Sequence, residues 1–405
     1  MMICSSESFV LNSSSMSRKS PTSRVAAETT IGTTAAAATS QPAPPRPKLI
    51  PGGDLLSLDF DELSEILGGT GRARMVWSAL SAGVDPFGDA TEFLTDKTAA
   101  VLKDTFEGLP WQVVRESVSS CGTRKLLIRL EDGLEVETVV IPDLSGARST
   151  VCVSSQIGCA ENCQFCMTGR MGLVRNLAAG EILGQVLFAQ GTVRQYNMPP
   201  LTNVVYMGMG EPLDNPAAVM RSLQVLTHPF AFAMAKSKIS VSTVGPSPAA
   251  IRRMKGMPSR LAWSVHAATD DVRRLLVPTT MHTMAELRDA FAEVLHSRPR
   301  EHVFVEIVLI QGVNDSPEMA RALASLLRPL PTRASINLLP YNDTGHPLFR
   351  ASPKESVKEF QSILTQECFV ATIRTARGDE ESAACGQLAT SANFERVPKQ
   401  RHRHT

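Results

Sequence analysis

The feature that most constrains this chain is a group of three closely spaced cysteines, Cys159, Cys163 and Cys166. The spacing C-x3-C-x2-C can curl one short loop around one face of a four-iron, four-sulfur cluster. Such a loop leaves the fourth iron without a protein ligand, so that iron is open to another molecule. The motif therefore predicts a [4Fe-4S] cluster that takes part in chemistry.

Zinc is the alternative for these cysteines, because thiolates suit zinc as well as iron–sulfur clusters. A structural zinc site usually needs a fourth nearby Cys or His, with the ligands arranged in C-x2-C pairs. No fourth Cys or His follows closely after Cys166. The cluster is therefore the preferred interpretation, ahead of zinc or unligated structural cysteines.

Length and composition set broad limits on the fold. A chain of 405 residues with 43% hydrophobic content can bury a large core, in one big domain plus a small one. No stretch approaches 18 consecutive apolar residues, so we expect no membrane partner. Eight cysteines would suggest disulfides in a small secreted protein, but three of them are grouped for a cluster here. This usage indicates a reducing compartment.

The first fifty residues differ in composition from the rest of the chain. They hold sixteen Ser or Thr, five Lys or Arg, only two acids, and a proline-rich exit. Such a segment buries too little apolar surface to fold and is typical of an organellar transit peptide. We predict a disordered segment over residues 1–50 and a chloroplast location. The alternatives are a mitochondrial or cytoplasmic location, or a disordered tail without any targeting role.

The chain carries five separated motifs, Val151–Cys159, Met207–Pro212, Ser264–His266, Gly312–Asp315 and Ala383–Leu388. In this order they resemble the motifs of the RlmN/Cfr group of radical SAM RNA adenine methyltransferases, and those of RlmN more closely. The resemblance covers about residues 54 to 390. It implies two cofactors, the [4Fe-4S] cluster and S-adenosylmethionine, whose reductive cleavage yields a 5'-deoxyadenosyl radical.

Strand and helix signals alternate from Cys152 onward. The candidate strands are 151–156, 202–207, 238–243, 261–266, 302–309 and 335–339, each a short apolar or β-branched run suited to a buried parallel sheet. Six β/α units predict an α/β fold, a partial (β/α)6 barrel. Sites then belong at the carboxyl ends of the strands.

The segments around this barrel core, residues 151–390, have patterns of their own. Helical spacing of apolar residues predicts a small N-terminal helical accessory domain over 54–115, and the resemblance implies that it helps to hold RNA. The turn signal Glu131–Gly133 between two apolar runs predicts a β-hairpin connection within 116–150. Residues 391–405 form a basic tail.

The resemblance assigns seven residues to S-adenosylmethionine: Gly210, Glu211, Ser242, Ser264, Val265, His266 and Asn342. Glycine would let the backbone approach a ligand closely, and Glu211 offers a carboxylate to the ammonium group. Taken singly, the Gly-x-Gly-Glu sequence could be a simple turn. A lone histidine such as His266 could be a structural residue.

Two further cysteines, Cys152 and Cys385, receive catalytic roles from the resemblance. Cys385 takes a methyl group, which a radical converts to a methylene radical that adds to C2 of adenine. Cys152 then forms a disulfide with Cys385 as the link between protein and RNA breaks. Glu137 matches a carboxylate that the family uses as a proton acceptor, and a solvated strand-edge glutamate is the alternative.

The resemblance predicts methylation of adenosine at C2 in ribosomal RNA, at the peptidyl-transferase centre, with an anticodon-loop adenosine of transfer RNA as a second substrate. The expected partners are these RNAs and an external electron donor of the flavodoxin or ferredoxin type, and the enzyme is expected to be a monomer. Methylation at C8 of adenine would use the same catalytic residues. The cluster loop would also suit a radical SAM enzyme with a non-RNA substrate, or a non-catalytic RNA- or ribosome-binding protein.

Overall fold

The computed structural model describes residues 49–143, 145–298, 301–374, 378 and 383–389. These residues belong to one compact unit, Lys48–Thr405. The predictions of a transit segment before residue 49 and of a basic tail over 391–405 lie outside the described residues.

A ten-stranded sheet organises the described part of the chain. In spatial order its strands are β1 (Gln112–Val118), β2 (Arg124–Arg129), β3 (Glu135–Pro142), β4 (Ser149–Val153), β7 (Leu201–Tyr206), β8 (Ile239–Thr243), β9 (Arg260–Ser264), β10 (Val303–Leu309), β11 (Ala334–Pro340) and β12 (Val370–Ile373). Strands β5 (Gln156–Gly158) and β6 (Leu173–Asn176) form a separate antiparallel pair. The ten-stranded sheet is open, because β1 and β12 are its two ends.

The six strands expected from the sequence are all present, as β4, β7, β8, β9, β10 and β11. Each pairs with its neighbour in parallel, and β12 extends the parallel part by one strand. Strand β10 is an example of such an apolar run. All but one of its residues are buried, because both faces of a parallel sheet are covered. The partial α/β barrel is therefore the correct fold class.

Helices cover the sheet and precede it. They are α1 (Gly52–Leu55), α2 (Phe60–Ile66), α3 (Thr70–Ser81), α4 (Asp96–Thr105), α5 (Met167–Met171), α6 (Ala179–Gln195), α7 (Pro216–Thr227), α8 (Pro248–Arg252), α9 (Asp270–Leu276), α10 (Met284–His296), α11 (Pro317–Leu327) and α12 (Lys354–Gln366). Thr283 begins α10 with a capping box, and Ser316 caps α11 ahead of Pro317. Within the described ranges, none of the helices is long and apolar enough to cross a membrane.

The segment before the barrel contributes to the main sheet as well as to the helices. Strand β1 begins at Gln112, inside the region expected to be helical, and pairs with β2. The predicted hairpin is β2 and β3, and β3 pairs antiparallel with β4. The whole run Glu135–Val140 is buried, because helix α6 packs near it and β4 flanks it. The hairpin is therefore an extension of the barrel sheet.

Gln185 of α6 fixes the place where β3, β4 and the loop after β7 meet. Its Oε1 accepts hydrogen bonds from the Ser154 N–H and the Thr138 hydroxyl, both at 2.8 Å, and its Nε2 donates to the Ser154 carbonyl at 2.9 Å. The Ser154 hydroxyl donates to the Glu137 carbonyl and accepts from the Met209 N–H. A buried network with each partner satisfied is rigid. It sets the positions of Cys152 and of the glycines around Met209.

Candidate active site

A cavity of about 450 Å³ lies at the carboxyl ends of the parallel strands. Its lining includes all five cysteines that the sequence singled out, namely Cys152, Cys159, Cys163, Cys166 and Cys385. It also includes Gly210, Glu211, Ser242, Ser264, His266 and Asn342. Two of the expected site residues, Val265 and Glu137, are not part of the lining. The fold therefore brings together residues from six separate stretches of the chain.

The cysteine loop is fixed by backbone contacts at its start and between its second and third cysteines. Gly158 has φ +74°, and a Cβ at this position would lie 1.8 Å from the Gly172 carbonyl oxygen, so only glycine fits. The Cys159 N–H donates to that carbonyl at 3.1 Å. The Gln164 N–H donates to the Leu276 carbonyl at 2.9 Å. The loop thus has a defined path around the cavity wall.

The three thiols of this loop fit a cluster by their chemistry. Burial, and for Cys159 and Cys163 the neighbouring thiols, raise the pKa of Cys159, Cys163 and Cys166. Binding of iron displaces the thiol protons, as metal coordination does. Within the described residues, no three His, Cys, Asp or Glu side chains converge to hold a single metal ion. A four-iron cluster places each cysteine on a different iron, so its ligands need not converge.

Glu211 presents a buried carboxylate beside the cluster loop. Its Oε1 accepts from the Leu213 N–H and its Oε2 from the Val244 N–H, both at 2.9 Å, and its own N–H donates to Gln156. Burial raises the pKa of Glu211 to about 8, although these backbone donors lower it in part. A cationic group in the cavity would stabilise the charged form. Glu211 is therefore suited to bind the ammonium of an amino acid.

His266 follows β9 with a left-handed backbone, φ +50°, which is unusual for a residue with a side chain. Asn314 stabilises this conformation, because its Nδ2 donates to the His266 carbonyl at 2.8 Å. The imidazole Nδ1 accepts from the Val308 N–H at 3.2 Å, and burial together with Arg273 lowers the pKa of His266 to about 3. The ring is therefore neutral, with its proton on Nε2, where it can donate to a ligand.

Apart from Gly210, the remaining residues assigned to S-adenosylmethionine lie at or just after the ends of β8, β9 and β11. The hydroxyls of Ser242 and Ser264 lie 2.9 Å apart at the ends of β8 and β9. Asn342 follows β11, and its Nδ2 donates to the Cys385 carbonyl at 3.0 Å. Val265 is fully buried, and its N–H donates to the Glu306 carbonyl at 2.9 Å. Val265 therefore holds β9 and β10 together behind the cavity.

Cys152 and Cys385 reach the same cavity from distant parts of the chain. Cys152 lies on β4, and Cys385 lies in a turn that closes with a hydrogen bond from the Gln387 N–H to the Ala384 carbonyl. Burial raises the pKa of Cys152, and the proximity of Cys385 raises it further. Cys385 is exposed to the cavity, yet the protein packed around its thiol raises its pKa by desolvation, while Arg374 acts to lower it. Both cysteines line the same cavity, and the effect of Cys385 on the pKa of Cys152 agrees with that placement.

Glu137 lies behind the cavity rather than in its lining. Its Oε1 is 3.0 Å from the Lys125 ammonium, and its Oε2 accepts from the Ala389 N–H at 2.8 Å. The residue is 5% exposed, so it is not a solvated strand-edge glutamate. Burial raises its carboxyl pKa, and Lys125 opposes the shift. The structure thus connects Glu137 to the segment that carries Cys385.

Sequence reasoning missed several charged residues of the cavity lining, and two of them, Glu306 and Arg374, act on Cys385. Glu306 is buried in the middle of β10, and its carboxylate accepts from Asn337 Nδ2 at 2.7 Å. A glutamate inside an otherwise apolar strand was a signal that could have identified it. Arg374 follows β12, and no local sequence pattern indicates how β12 pairs with its neighbour in the sheet. Together they supply opposite charges near Cys385.

The fold and the cysteine loop define a radical SAM enzyme. The sequence-family model that describes the Radical SAM superfamily matches residues 153–324 of this chain. A radical SAM methyltransferase from Sphaerobacter thermophilus has a similar solved structure, with a TM-score of 0.76 and 38% identity, covering 84% of this chain and 99% of that one. The cofactors are therefore a [4Fe-4S] cluster and S-adenosylmethionine, as the sequence motif indicated.

Two curated relatives narrow the family. The dual-specificity RNA methyltransferase RlmN of Dinoroseobacter shibae is 38% identical over 377 residues, which cover 88% of this chain and 94% of that protein. The protein of the same name in Marinobacter nauticus is 42% identical over 310 residues, covering 76% and 83%. The chain belongs to the RlmN family of radical SAM methyltransferases. The family resemblance seen in the sequence is confirmed.

Replacing Gly210 with Ala should weaken S-adenosylmethionine binding roughly tenfold or more, because Glu211 would lose its position. Gly210 has φ +98°, and a Cβ there would lie 2.5 Å from Gln156 Cβ. Gly146→Ala is the matched control, since Gly146 also has positive φ but nothing within 4 Å of its added Cβ. Calorimetric titration of reconstituted protein with S-adenosylmethionine measures the difference. Equal affinities in the two variants would contradict the close-approach role of Gly210.

Proposed function

We propose that this enzyme methylates adenosine at C2 in ribosomal RNA and in transfer RNA. The observation that carries the proposal is the placement of Cys152 and Cys385 in the same cavity as the three cysteines of the cluster loop. A radical SAM enzyme without a cysteine carrier would have no need of this pair. The relatives' dual-specificity RNA methyltransferase activity supports RNA as the substrate.

The chemistry of the target explains why a carrier cysteine is needed. C2 of adenine is an electron-poor carbon between two ring nitrogens, so it does not attack the methyl group of a sulfonium. Cys385 loses its proton and takes that methyl on its sulfur. Bound S-adenosylmethionine and cluster supply the adenosyl radical that activates the S-methyl group. Cys385 then holds the RNA through a carbon–sulfur bond. The Cys152 thiolate attacks the Cys385 sulfur, so that the disulfide forms as the carbon–sulfur bond breaks, and the released carbon keeps the electron pair and takes up a proton to become the methyl group. An external thiol reductant must return the disulfide to two thiols before the next turnover.

Other side chains of the cavity position the reactants. Glu211 binds the ammonium group, His266 donates a hydrogen bond from Nε2, and Asn342 fixes the carbonyl of Cys385. Glu137 is the proton acceptor in this scheme. Methylation at C8 of adenine would use the same residues, and no contact among the described lining residues favours it over C2.

Mass spectrometry of nucleosides tests the proposal. Organellar ribosomal RNA and transfer RNA from cells with and without the protein should differ in 2-methyladenosine. The wild-type gene should restore the modified nucleoside, and Cys385→Ala should not. Appearance of 8-methyladenosine, or no change in either RNA, would overturn the proposal.

The compartment and the reductant are parts of the same proposal. The Ser/Thr-rich segment before residue 50 supports import into a chloroplast, where a ferredoxin- or flavodoxin-type donor would reduce the cluster. A monomer suffices, because the described residues of one chain supply the cavity lining. Organellar RNA is therefore the substrate pool in which the modification is to be sought.

A further inference from the structure

One peptide group near the carrier cysteine is held from both sides. The carbonyl of Leu388 accepts a hydrogen bond from the Thr168 hydroxyl at 2.5 Å, and the N–H of Ala389 donates to Glu137 Oε2 at 2.8 Å. This carbonyl and this N–H belong to the same peptide bond. It lies three residues beyond Cys385, between the cluster loop and strand β3.

The two side chains come from opposite parts of the site. Thr168 lies two residues after the cluster cysteine Cys166 and is 3% exposed. Glu137 lies on β3, where Lys125 binds its other oxygen at 3.0 Å. Hydrogen bonds to an ionised carboxylate are stronger than neutral ones, and bonds in a buried position are costly to leave unmade. The peptide therefore has little freedom to turn or shift.

Further contacts connect the same short segment to the cluster loop. The Met167 N–H donates to the Gly386 carbonyl at 2.8 Å, and a Cβ on Gly386 would lie 3.3 Å from the Phe165 carbonyl oxygen. On the opposite side, the Gln387 Nε2 donates to the Asp343 carbonyl at 3.0 Å. The backbone that carries Cys385 is thus registered against the loop that carries the cluster cysteines.

We propose that Thr168 and Glu137 act as positioning residues that clamp the Leu388–Ala389 peptide and so hold the Cys385 thiol at a fixed distance from the cluster loop. Glu137 then has two separable roles, one through its position as a hydrogen-bond acceptor and one through its basicity. Thr168 has only a positioning role, as the donor of a hydrogen bond to the Leu388 carbonyl. The clamp rests on the proposed function in one respect, the identity of Cys385 as the methyl carrier.

Hydrogen exchange of the full-length protein tests the clamp without any turnover. Thr168→Val and Glu137→Ala should each speed amide exchange in the peptide covering 383–389 roughly tenfold, because each removes a hydrogen bond to that backbone. Thr168→Ser and Glu137→Gln retain a donor or acceptor at the right place and should exchange at close to the wild-type rate. Thr227→Val is the matched control, since it removes a similar hydroxyl-to-carbonyl bond within α7.

Methylation assays on the same variants separate the two roles of Glu137. Thr168→Val should still cleave S-adenosylmethionine but produce less methylated Cys385, and Thr168→Ser should restore it. Glu137→Gln should keep the segment protected and lose product release. Unchanged exchange over 383–389 in both Thr168→Val and Glu137→Ala would overturn the clamp. A different outcome is faster exchange in these two variants together with a wild-type enzyme that makes no methylated nucleoside. That outcome would contradict the proposed function but would support the clamp.

Discussion

Replacing Cys152 with Ala should trap the enzyme as a covalent protein–RNA adduct joined through Cys385. The variant keeps the methyl carrier but lacks the thiol that attacks the Cys385 sulfur, so the carbon–sulfur bond to RNA cannot break. Each molecule should therefore stop after one addition. The adduct should run as a shifted band on a denaturing gel and collapse to the normal position after RNase digestion.

Two further variants serve as controls that identify the species in the shifted band. Cys385→Ala, alone or combined with Cys152→Ala, should give no adduct, because the attachment point is gone. Cys368→Ala should behave as wild type, since Cys368 is exposed and does not line the cavity. A Cys152→Ala enzyme that methylates at the normal rate, with no adduct, would show that the two cysteines do not work as a pair.

Changing Cys159, Cys163 or Cys166 to Ala should abolish both the cluster and the cleavage of S-adenosylmethionine. Wild-type protein reconstituted without oxygen should contain about four irons and four sulfides. Each variant should lose the visible absorbance and form no 5'-deoxyadenosine, as measured by metal analysis, spectroscopy and chromatography. Loss of one ligand leaves a second iron exposed, so partial assembly does not preserve the site.

The matched control for this series is Cys121→Ala. Cys121 lies in the turn between β1 and β2 and is exposed, and its thiol contacts the neighbouring hydroxyls of Ser119 and Thr123. Its removal should leave iron content and cleavage unchanged. Retained cleavage in any of the three loop variants would contradict the cluster assignment, and it would revive zinc or structural thiols as the explanation.

Residues whose role depends on local chain geometry could be predicted from the sequence. The parallel strands appear as short apolar runs because both of their faces are covered, as in Val303–Leu309. Gly210 and Glu211 follow such a run, and the carboxyl end of a parallel strand is where a ligand site is expected. The cysteine spacing alone indicated the cluster. These signals lie within a few residues of one another.

Residues whose role depends on distant pairing could not be predicted in the same way. Glu137 is 252 positions away from Ala389, and no local pattern shows that its carboxylate binds that backbone. Strand β1 is an edge strand with mostly exposed or half-exposed residues, so its hydrophobic signal is weak. Asn314 was part of a recognised motif, but its action on the His266 backbone appears only in three dimensions.

Strand β4 lies at the boundary between the antiparallel and the parallel part of the sheet, and this position fixes the backbone of Cys152. The strand pairs antiparallel with β3 and parallel with β7, with Cys152 opposite Val139 on one side and Val205 on the other. A backbone bonded along both edges cannot travel without breaking the sheet, whereas Cys385 lies in a turn. The segment after Cys385 is itself held, by the hydrogen bonds of Thr168 and Glu137 to the Leu388–Ala389 peptide. Both sulfurs are therefore carried by backbone that is fixed in place, so the approach that forms the disulfide falls to rotation of the cysteine side chains.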